Sequence, residues 1–361
     1  MAGRGGVRGF ILAAGRGVRL GPLGKLVPKP LWPLGGTPLI RFALHKLKRA
    51  GVREVGINLH HGAEAIRAAV GERPLGLEAR YFFEPEILGT AGGLKNAEGF
   101  LRETGAPFFV LNADAPCGAD LEEALARHER GGFLATLILR PSPDAARYGL
   151  LAGDEAGRLR RFLRAEAPGA PDGRVTEGMF TGLSVLSPAL LDHIPAGRPC
   201  GISEEIYPPL LESGAPLGAV LSSAYWADLG TPARYLEAQG DLLSGRFVPE
   251  FPWPEEDHVL AAGPGGGWDG GRVEPPALIS TGARLERGSA AGPFSVLMRD
   301  ATLQAEARAS GSVLFPGARV APGARLDACI VGPGAVADPP GGRARRSVFL
   351  AGAAEPVPIE D

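Results

Sequence analysis

Short apolar runs alternate with amphipathic stretches through the first two thirds of the chain. Residues 7–14, 54–60, 78–84, 107–114 and 133–141 are apolar runs of strand length. Between them, residues 38–50, 63–70, 91–101 and 120–131 place apolar side chains at the helical period. Asp120 followed by Glu123 reads as an N-cap with a capping box. Strand–helix alternation predicts an α/β fold, a Rossmann-like, mostly parallel sheet flanked by helices. Ligands on such sheets bind beyond the carboxyl ends of the strands. The positions of interest are therefore those after Ala14, after Glu84 and at Asp114.

The pattern ends near Gly245. Residues 246–275 collect Pro249, Pro252, Pro254, Pro264, Pro275 and glycines 265–267, a linker by composition. A different period then begins: Ile279, Leu285, Ala291, Leu297, Leu303 and Ala309 are six residues apart. After a phase slip, Leu314, Val320 and Leu326 continue the step. Turn tetrads such as Pro316-Gly-Ala-Arg319 and Pro322-Gly-Ala-Arg325 accompany them. This is the hexapeptide signature of a β-solenoid. The expected organisation is a first domain over 1–245, a Pro/Gly-rich linker over 246–275, a β-helix over 276–338 and a loosely ordered C-terminal tail over 339–361.

Composition narrows the function classes. The 361 residues suffice for about two domains, and 45% hydrophobic content excludes global disorder. A formal net charge of −2 offers no field for nucleic acid or an anionic membrane, so neither is expected as a partner. Cys117, Cys200 and Cys329 lie far apart, with no metal, redox or disulfide spacing, which fits a reducing compartment. The apolar run at 10–14 is too short for a signal segment or a membrane span. A soluble, cytoplasmic protein is the expectation. Only Lys25, Lys29, Lys46, Lys48 and Lys95 are lysines, in a set of 38 Lys and Arg. An Arg at a given position therefore says little, and a Lys says more.

The densest chemistry lies in Leu12-Ala-Ala-Gly-Arg-Gly-Val-Arg-Leu20 and Pro28-Lys-Pro-Leu31. A Gly15-x-Gly17 turn after a buried strand lets backbone N–H groups approach phosphate oxygens. Arg19 supplies a planar fork for phosphate. Lys29, between two prolines on a stiff extended segment, can neutralise charge on a transferring phosphoryl group. A third glycine at dinucleotide spacing and a Gly-Lys-Ser/Thr sequence are both missing, which excludes the two commonest phosphate loops.

Together these segments resemble the signature of the sugar-1-phosphate nucleotidyltransferases, the NDP-sugar pyrophosphorylases. Further segments resemble the family in order. Asn58-Leu-His-His61 is similar to a strand end of the mannose-1-phosphate guanylyltransferase-like branch. Leu88-Gly-Thr-Ala-Gly92 looks like the base-recognition loop, and Leu111-Asn-Ala-Asp114 and Trp226-Ala-Asp-Leu-Gly-Thr-Pro232 like the two metal motifs. Tyr148-Gly149 and Phe180-Thr-Gly182 resemble sugar-side segments. The hexapeptides are similar to the left-handed β-helix appended to many members.

The resemblance implies a set of site residues. Leu12, Ala13, Ala14, Gly15, Gly17, Arg19, Glu84, Gly89, Thr90 and Asn112 would bind the nucleotide. Tyr148, Gly149, Glu166, Thr181 and Gly182 would line the sugar. Arg19, Lys29, Asp114 and Asp228 would carry catalysis, with Asp114 and Asp228 holding Mg²⁺. The substrates would be an NTP and a sugar 1-phosphate. GTP with mannose 1-phosphate is the first expectation, and glucose 1-phosphate with UTP or dTTP the alternative. His60 and His61, adjacent on a strand, are expected to face opposite ways and not to share a metal.

Two departures stand out. Ala113 replaces a family Gly, which would be strained if that position needs a positive φ. Ala167, in Arg164-Ala-Glu-Ala-Pro168, stands where many members carry a Lys that grips the sugar phosphate; Arg161 and Arg164 are the nearest cations in sequence. That loss motivates a rival reading, a catalytically weak binding or regulatory subunit. An acyltransferase role for the β-helix is disfavoured because the last His is His258, before the repeats. The β-helix is expected to be structural or to join copies into a homo-oligomer.

Overall fold

The computed structural model describes residues 6–142, 149–254, 258–261, 267–268 and 270–360. The chain divides into two compact units. The first comprises Met1–Arg16, Pro28–Leu31 and Leu39–Trp226. The second comprises Gly17–Val27, Trp32–Pro38 and Ala227–Asp361, so the segment after Arg16 and the helix Pro232–Leu243 group with the solenoid. This differs from a single division near residue 245. Among the described residues, no helix is long and apolar enough to cross a membrane.

Among the described residues the first unit is built on a ten-stranded sheet. Arg8–Leu12 lies at its centre, parallel to Glu54–Leu59 on one side and Phe108–Asn112 on the other. Glu78–Phe83 continues the parallel set, and Thr176–Leu186 adds antiparallel to Phe108–Asn112. Side chains alternate across the sheet. Phe108 and Val110 enter one core with Phe10, while Phe109 and Leu111 enter the other with Ile11. Both faces are covered, which is why these strands read as continuous apolar runs. The register pairs Leu12 with both Asn58 and Asn112, so three strand ends finish level.

The helices follow the predicted periods. Leu39–Arg49, Ala63–Val70 and Leu121–Gly131 form as expected, and the stretch at 91–101 becomes Gly89–Asn96 and Glu98–Arg102. The Asp120 carboxylate accepts from the Glu122 and Glu123 amides at 2.8 and 3.2 Å, the N-cap arrangement.

Among the described residues of the second unit, three parallel ladders run along three faces of a β-solenoid. Ile279, Leu285, Ala291, Leu297, Leu303, Ala309, Leu314, Val320 and Leu326 all point into its core. The phase slip falls at a corner: Ser295 is 18 residues past its ladder partner Ala277, whereas Val313 is 17 past Val296, and the ladders stay parallel. The Pro-rich stretch and the tail hold more structure than composition suggested. His258–Ala261 and Gly267–Trp268 pair antiparallel with the first coil. Arg343–Arg345 and Ser347–Phe349 extend the parallel ladders, and Val357–Pro358 closes one antiparallel. Two-residue strands in Pro- and Gly-rich sequence carry no periodic signal, yet they cover the open edges a solenoid would otherwise expose.

Within this unit the helix Pro232–Leu243 holds the hairpin Pro33–Leu34/Thr37–Pro38. Tyr235 Oη and Gln239 Nε2 donate to the Pro33 carbonyl at 2.6 and 2.8 Å. Trp32 packs edge-on against Tyr235, ring centroids 4.8 Å apart, and against Phe315 of the solenoid at 6.0 Å.

Candidate active site

The level strand ends of the first unit gather most of the predicted residues. Leu12 ends the central strand and Ala13 follows it. The Leu12 carbonyl accepts from Ala113 N at 3.1 Å, and the Ala13 amide donates to Asn58 Oδ1 at 2.7 Å. Ala14 is buried behind them, and Gly15 opens the exposed turn. Lys29 lies in a short 3₁₀ turn, Lys29–Leu31, closed by Leu31 N donating to the Pro28 carbonyl at 2.8 Å. This corrects the extended segment expected from its prolines; a fixed φ near −65° suits a 3₁₀ turn as well. Lys29 is only 7% exposed, and its Nζ donates to Asp114 Oδ2.

Asp114 follows the strand Phe108–Asn112 at the sheet edge. Ala113 is not among the residues with positive φ, so the exchange of Gly for Ala there brings no strain. Asn112 faces Gly182, which has φ +80°, and a Cβ on Gly182 would lie 2.4 Å from Asn112 Nδ2. The register of Thr176–Leu186 shifts at that point. Gly182 is thus needed both for its backbone and for its size.

The segment Leu88–Gly92 is clamped by residues 200–202, which carry no sequence motif. Cys200 N donates to the Leu88 carbonyl at 2.8 Å, and the Cys200 carbonyl accepts from Ala91 N and Gly92 N at 3.0 and 3.1 Å. Thr90 Oγ1 accepts from Ile202 N at 2.8 Å. A carbonyl acceptor leaves no mark on a sequence, so this clamp was not foreseeable. Burial pushes the Cys200 thiol pKa up, and the side chains of Cys117, Cys200 and Cys329 are all buried.

Several predicted ligand residues are otherwise engaged. Glu84 is 0% exposed, with Oε1 accepting from Asn58 Nδ2 at 2.8 Å and Oε2 from Leu88 N at 2.9 Å. Its carboxylate is turned into the protein and offers nothing to a nucleotide directly. Thr181 is 1% exposed; its hydroxyl donates to the Ile138 carbonyl at 2.8 Å, and its own carbonyl accepts from Trp226 Nε1 at 2.7 Å. Its side chain therefore belongs to the sheet and not to a sugar surface. His60 and His61 lie past the strand, both partly buried, and His60 Nδ1 is 2.8 Å from the Glu84 carbonyl oxygen.

Glu166 is exposed on the hairpin Leu159–Phe162/Ala165–Glu166 and pairs with Arg161 at 2.7 Å. Arg161 also reaches Glu177 at 3.5 Å, and Ala167 packs against the core beside it. Gly149 has φ +94° and would press a Cβ to 2.3 Å from Leu163 Cδ2. Tyr148 lies outside the described residues.

The second unit carries the other charged group. Asp228 accepts from Arg234 Nη1 at 2.7 Å and from Arg19 Nη1 at 3.4 Å. Gly230 leaves room for the Arg19 guanidinium, since a Cβ there would come within 2.7 Å of Arg19 Cζ. Thr231 Oγ1 caps the helix by accepting from Arg234 N at 3.3 Å, which sets the first turn that carries Arg234. Arg234 went unnoticed in the sequence because one Arg among so many carries no signal. Among the described residues no three His, Cys, Asp or Glu side chains gather as a ready-made metal cage.

Comparison with known proteins agrees with this geometry. A family model described as nucleotidyl transferase matches residues 8–245. The chain is 31% identical over 342 residues to a Synechocystis protein named UTP–glucose-1-phosphate uridylyltransferase, covering 89% of this chain and 86% of the relative. It is 32% identical over 324 residues to the mannose-1-phosphate guanylyltransferase of Mycobacterium tuberculosis, covering 89% of this chain and 83% of the relative. The crystal structure of HddC from Yersinia pseudotuberculosis shares the fold, with a TM-score of 0.53 and 24% identity over 64% of this chain and 97% of that one. A glycine-rich turn after the central strand, a buried Lys on an aspartate at the sheet edge, and a match spanning most of both relatives lead to one conclusion: the chain belongs to the nucleotidyl transferase family, among its sugar-1-phosphate nucleotidyltransferases.

Proposed function

We propose that the chain transfers guanylyl from GTP to mannose 1-phosphate, releasing pyrophosphate. The observation that carries this reading is Asn58-Leu-His-His61, which resembles the guanylyltransferase branch, beside 32% identity over 89% of the chain to the Mycobacterium tuberculosis guanylyltransferase. Similarity of equal extent to the Synechocystis uridylyltransferase supports a second reading, UTP with glucose 1-phosphate.

In either case a phosphate oxygen of the sugar 1-phosphate attacks the α-phosphorus in line. The bond to the β-phosphate oxygen breaks, and pyrophosphate leaves with that electron pair. The attacking phosphate is already anionic, so no dedicated base is needed and catalysis rests on positioning and charge neutralisation. Backbone amides of the Gly15–Gly17 turn and the Arg19 guanidinium bind the triphosphate. Lys29 balances charge gathering on the transferred and leaving phosphates. Gly149, Glu166 and Gly182 border the sugar.

Asp114 in the first unit and Asp228 in the second each fit Mg²⁺ by donor chemistry. Both offer hard carboxylate oxygens, and each already accepts from a cation, Lys29 for one, Arg19 and Arg234 for the other. Bound there with phosphate oxygens and water, Mg²⁺ would neutralise phosphate charge. Pyrophosphate release across a panel of NTPs and sugar 1-phosphates tests the proposal. Fastest release with GTP and mannose 1-phosphate is expected. Fastest release with UTP and glucose 1-phosphate selects the second reading. NTP binding without turnover on any pair points to the regulatory-subunit rival and overturns both.

A further inference from the structure

A buried carboxylate costs desolvation unless it is fully hydrogen-bonded, so its retention at the edge of a site calls for a reason. Glu84 is such a group. Oε2 accepts from the Leu88 amide at 2.9 Å, at the start of the Leu88–Gly92 segment, and Oε1 accepts from Asn58 Nδ2 at 2.8 Å. Asn58 Oδ1 in turn accepts from the Ala13 amide at 2.7 Å, at the start of the Gly15–Gly17 turn. Three hydrogen bonds therefore join the two loops through the ends of two neighbouring strands. Their polarity is determined throughout: Ala13 N and Leu88 N can only donate, which orients the Asn58 amide and makes both Glu84 oxygens acceptors. The helix presses on the pair from above. A Cβ on Gly93 would lie 2.6 Å from Asn58 Nδ2 and 2.8 Å from Glu84 Oε1.

We infer that Asn58 and Glu84 are positioning residues that lock the phosphate-binding turn and the base-binding segment at one spacing, so that triphosphate and base are recognised together as a single NTP. This rests on the nucleotidyl-transfer reading above. It assigns to Glu84 a part in nucleotide recognition exerted through the backbone of Ala13 and Leu88. A misplacement of about 1 Å at such a loop is enough to lower turnover about a hundredfold.

Polarity supplies the test. Glu84→Gln leaves an amide facing donors at both ends, so one tie fails whichever way it turns. Asn58→Asp sets two carboxylates against each other. The double variant N58D/E84Q restores all three bonds with the middle one reversed: the new carboxylate accepts from Ala13 N and from the new amide, whose oxygen accepts from Leu88 N. With the substrate pair the wild type uses, each single variant is expected to raise KM for the NTP about tenfold or more, while KM for the sugar phosphate moves less than about twofold. The double variant is expected to return the NTP KM most of the way to wild type. Unchanged NTP KM in the single variants, equal shifts in both KM values, or a double variant no better than the singles overturns the inference. If the single variants fail to fold, amide hydrogen exchange on the wild type decides: NTP slowing Ala13 and Leu88 in step supports the coupling, and protection of one without the other refutes it. If the wild type turns over no pair, the functional reading fails separately, and calorimetric NTP binding by the same variants still reads the coupling.

Discussion

Lys29 and Asp114 meet side chain to side chain in the first unit although 85 residues separate them in the chain. Lys29 is buried, whereas Asp114 is about one third exposed at 32%. The pair is therefore lopsided. Lys29→Ala leaves a carboxylate that water can reach, and the fold should lose little. Asp114→Ala removes an acceptor from a buried ammonium in a place water hardly enters, and stability should fall further, by about 1–3 kcal/mol. Turnover should show the reverse sensitivity for Lys29, with kcat down about 10²–10³-fold in K29A. Thermal melting beside pyrophosphate release checks both halves. A K29A enzyme that keeps its rate would remove Lys29 from the chemistry.

Arg234 should prove as important to Asp228 as Arg19, although only Arg19 lies in the glycine-rich signature. The Arg234 contact is the shorter, 2.7 Å against 3.4 Å, and Arg19 is 61% exposed. Arg234 sits on a capped helix and holds the carboxylate in a fixed orientation, which is what an outer partner would do for Asp228 under the proposal that Asp228 holds Mg²⁺. Arg234→Ala is expected to raise the Mg²⁺ concentration for half-maximal rate about tenfold or more, with less effect on KM for the NTP. Arg19→Ala is expected to act mainly on KM for the NTP. Titrating Mg²⁺ and NTP separately on both variants distinguishes the roles, and matching profiles would refute the division.

Gly182→Ala should be costly out of proportion to one methyl group. The residue has φ +80°, where a Cβ is strained, and the added carbon would meet Asn112 Nδ2 at 2.4 Å. Loss of about 1–3 kcal/mol is expected from backbone strain alone. Displacement of Asn112 should also raise KM for the NTP if that side chain contributes to the nucleotide site. Denaturant unfolding gives the first quantity and steady-state kinetics the second. A variant as stable as the wild type would mean that the strand relaxes freely at its register shift.

What the sequence made legible follows from what leaves a periodic or chemical trace. The central strands, buried on both faces, were plain as apolar runs, and the solenoid core was plain from Ile279 to Leu326 because every sixth residue faces inward. Lys29 stood out because lysine is scarce. Asp114 stood out because it ends an apolar strand, and Asp228 through its motif. Backbone acceptors were invisible: nothing in residues 199–202 announces that the Cys200 carbonyl holds Leu88–Gly92. Direction was invisible too. Glu84 and Thr181 lie in the segments that the motifs pointed to, yet their side chains turn inward, and a motif gives the place of a residue without its orientation. The antiparallel strands His258–Ala261 and Val357–Pro358 are too short for any period to register.

His128 should make the fold sensitive to mild acid. Its Nδ1 lies 3.0 Å from Thr136 Oγ1 and its Nε2 2.9 Å from Ser187 Oγ. The Ser187 hydroxyl donates to the Phe133 carbonyl at 2.8 Å, so it accepts from His128, which places the ring proton on Nε2 and makes Nδ1 the acceptor. Burial lowers the His128 pKa from 6.5 to about 4. A lowered value means that the unfolded chain takes up a proton at a higher pH than the folded one. The stability held by the neutral ring is complete above pH 6.5 and is lost as pH falls towards 4, at up to about 1.4 kcal/mol per pH unit. His45, lowered to about 4 by burial and by Arg41 and Lys48, acts in the same direction. Urea midpoints at pH 7, 6 and 5 should fall progressively, about one pH unit at a time. His128→Gln keeps a donor towards Ser187 and cannot titrate, so it should be less stable at neutral pH yet decline more gently. A decline as steep as that of the wild type would show that the acid sensitivity comes from other groups.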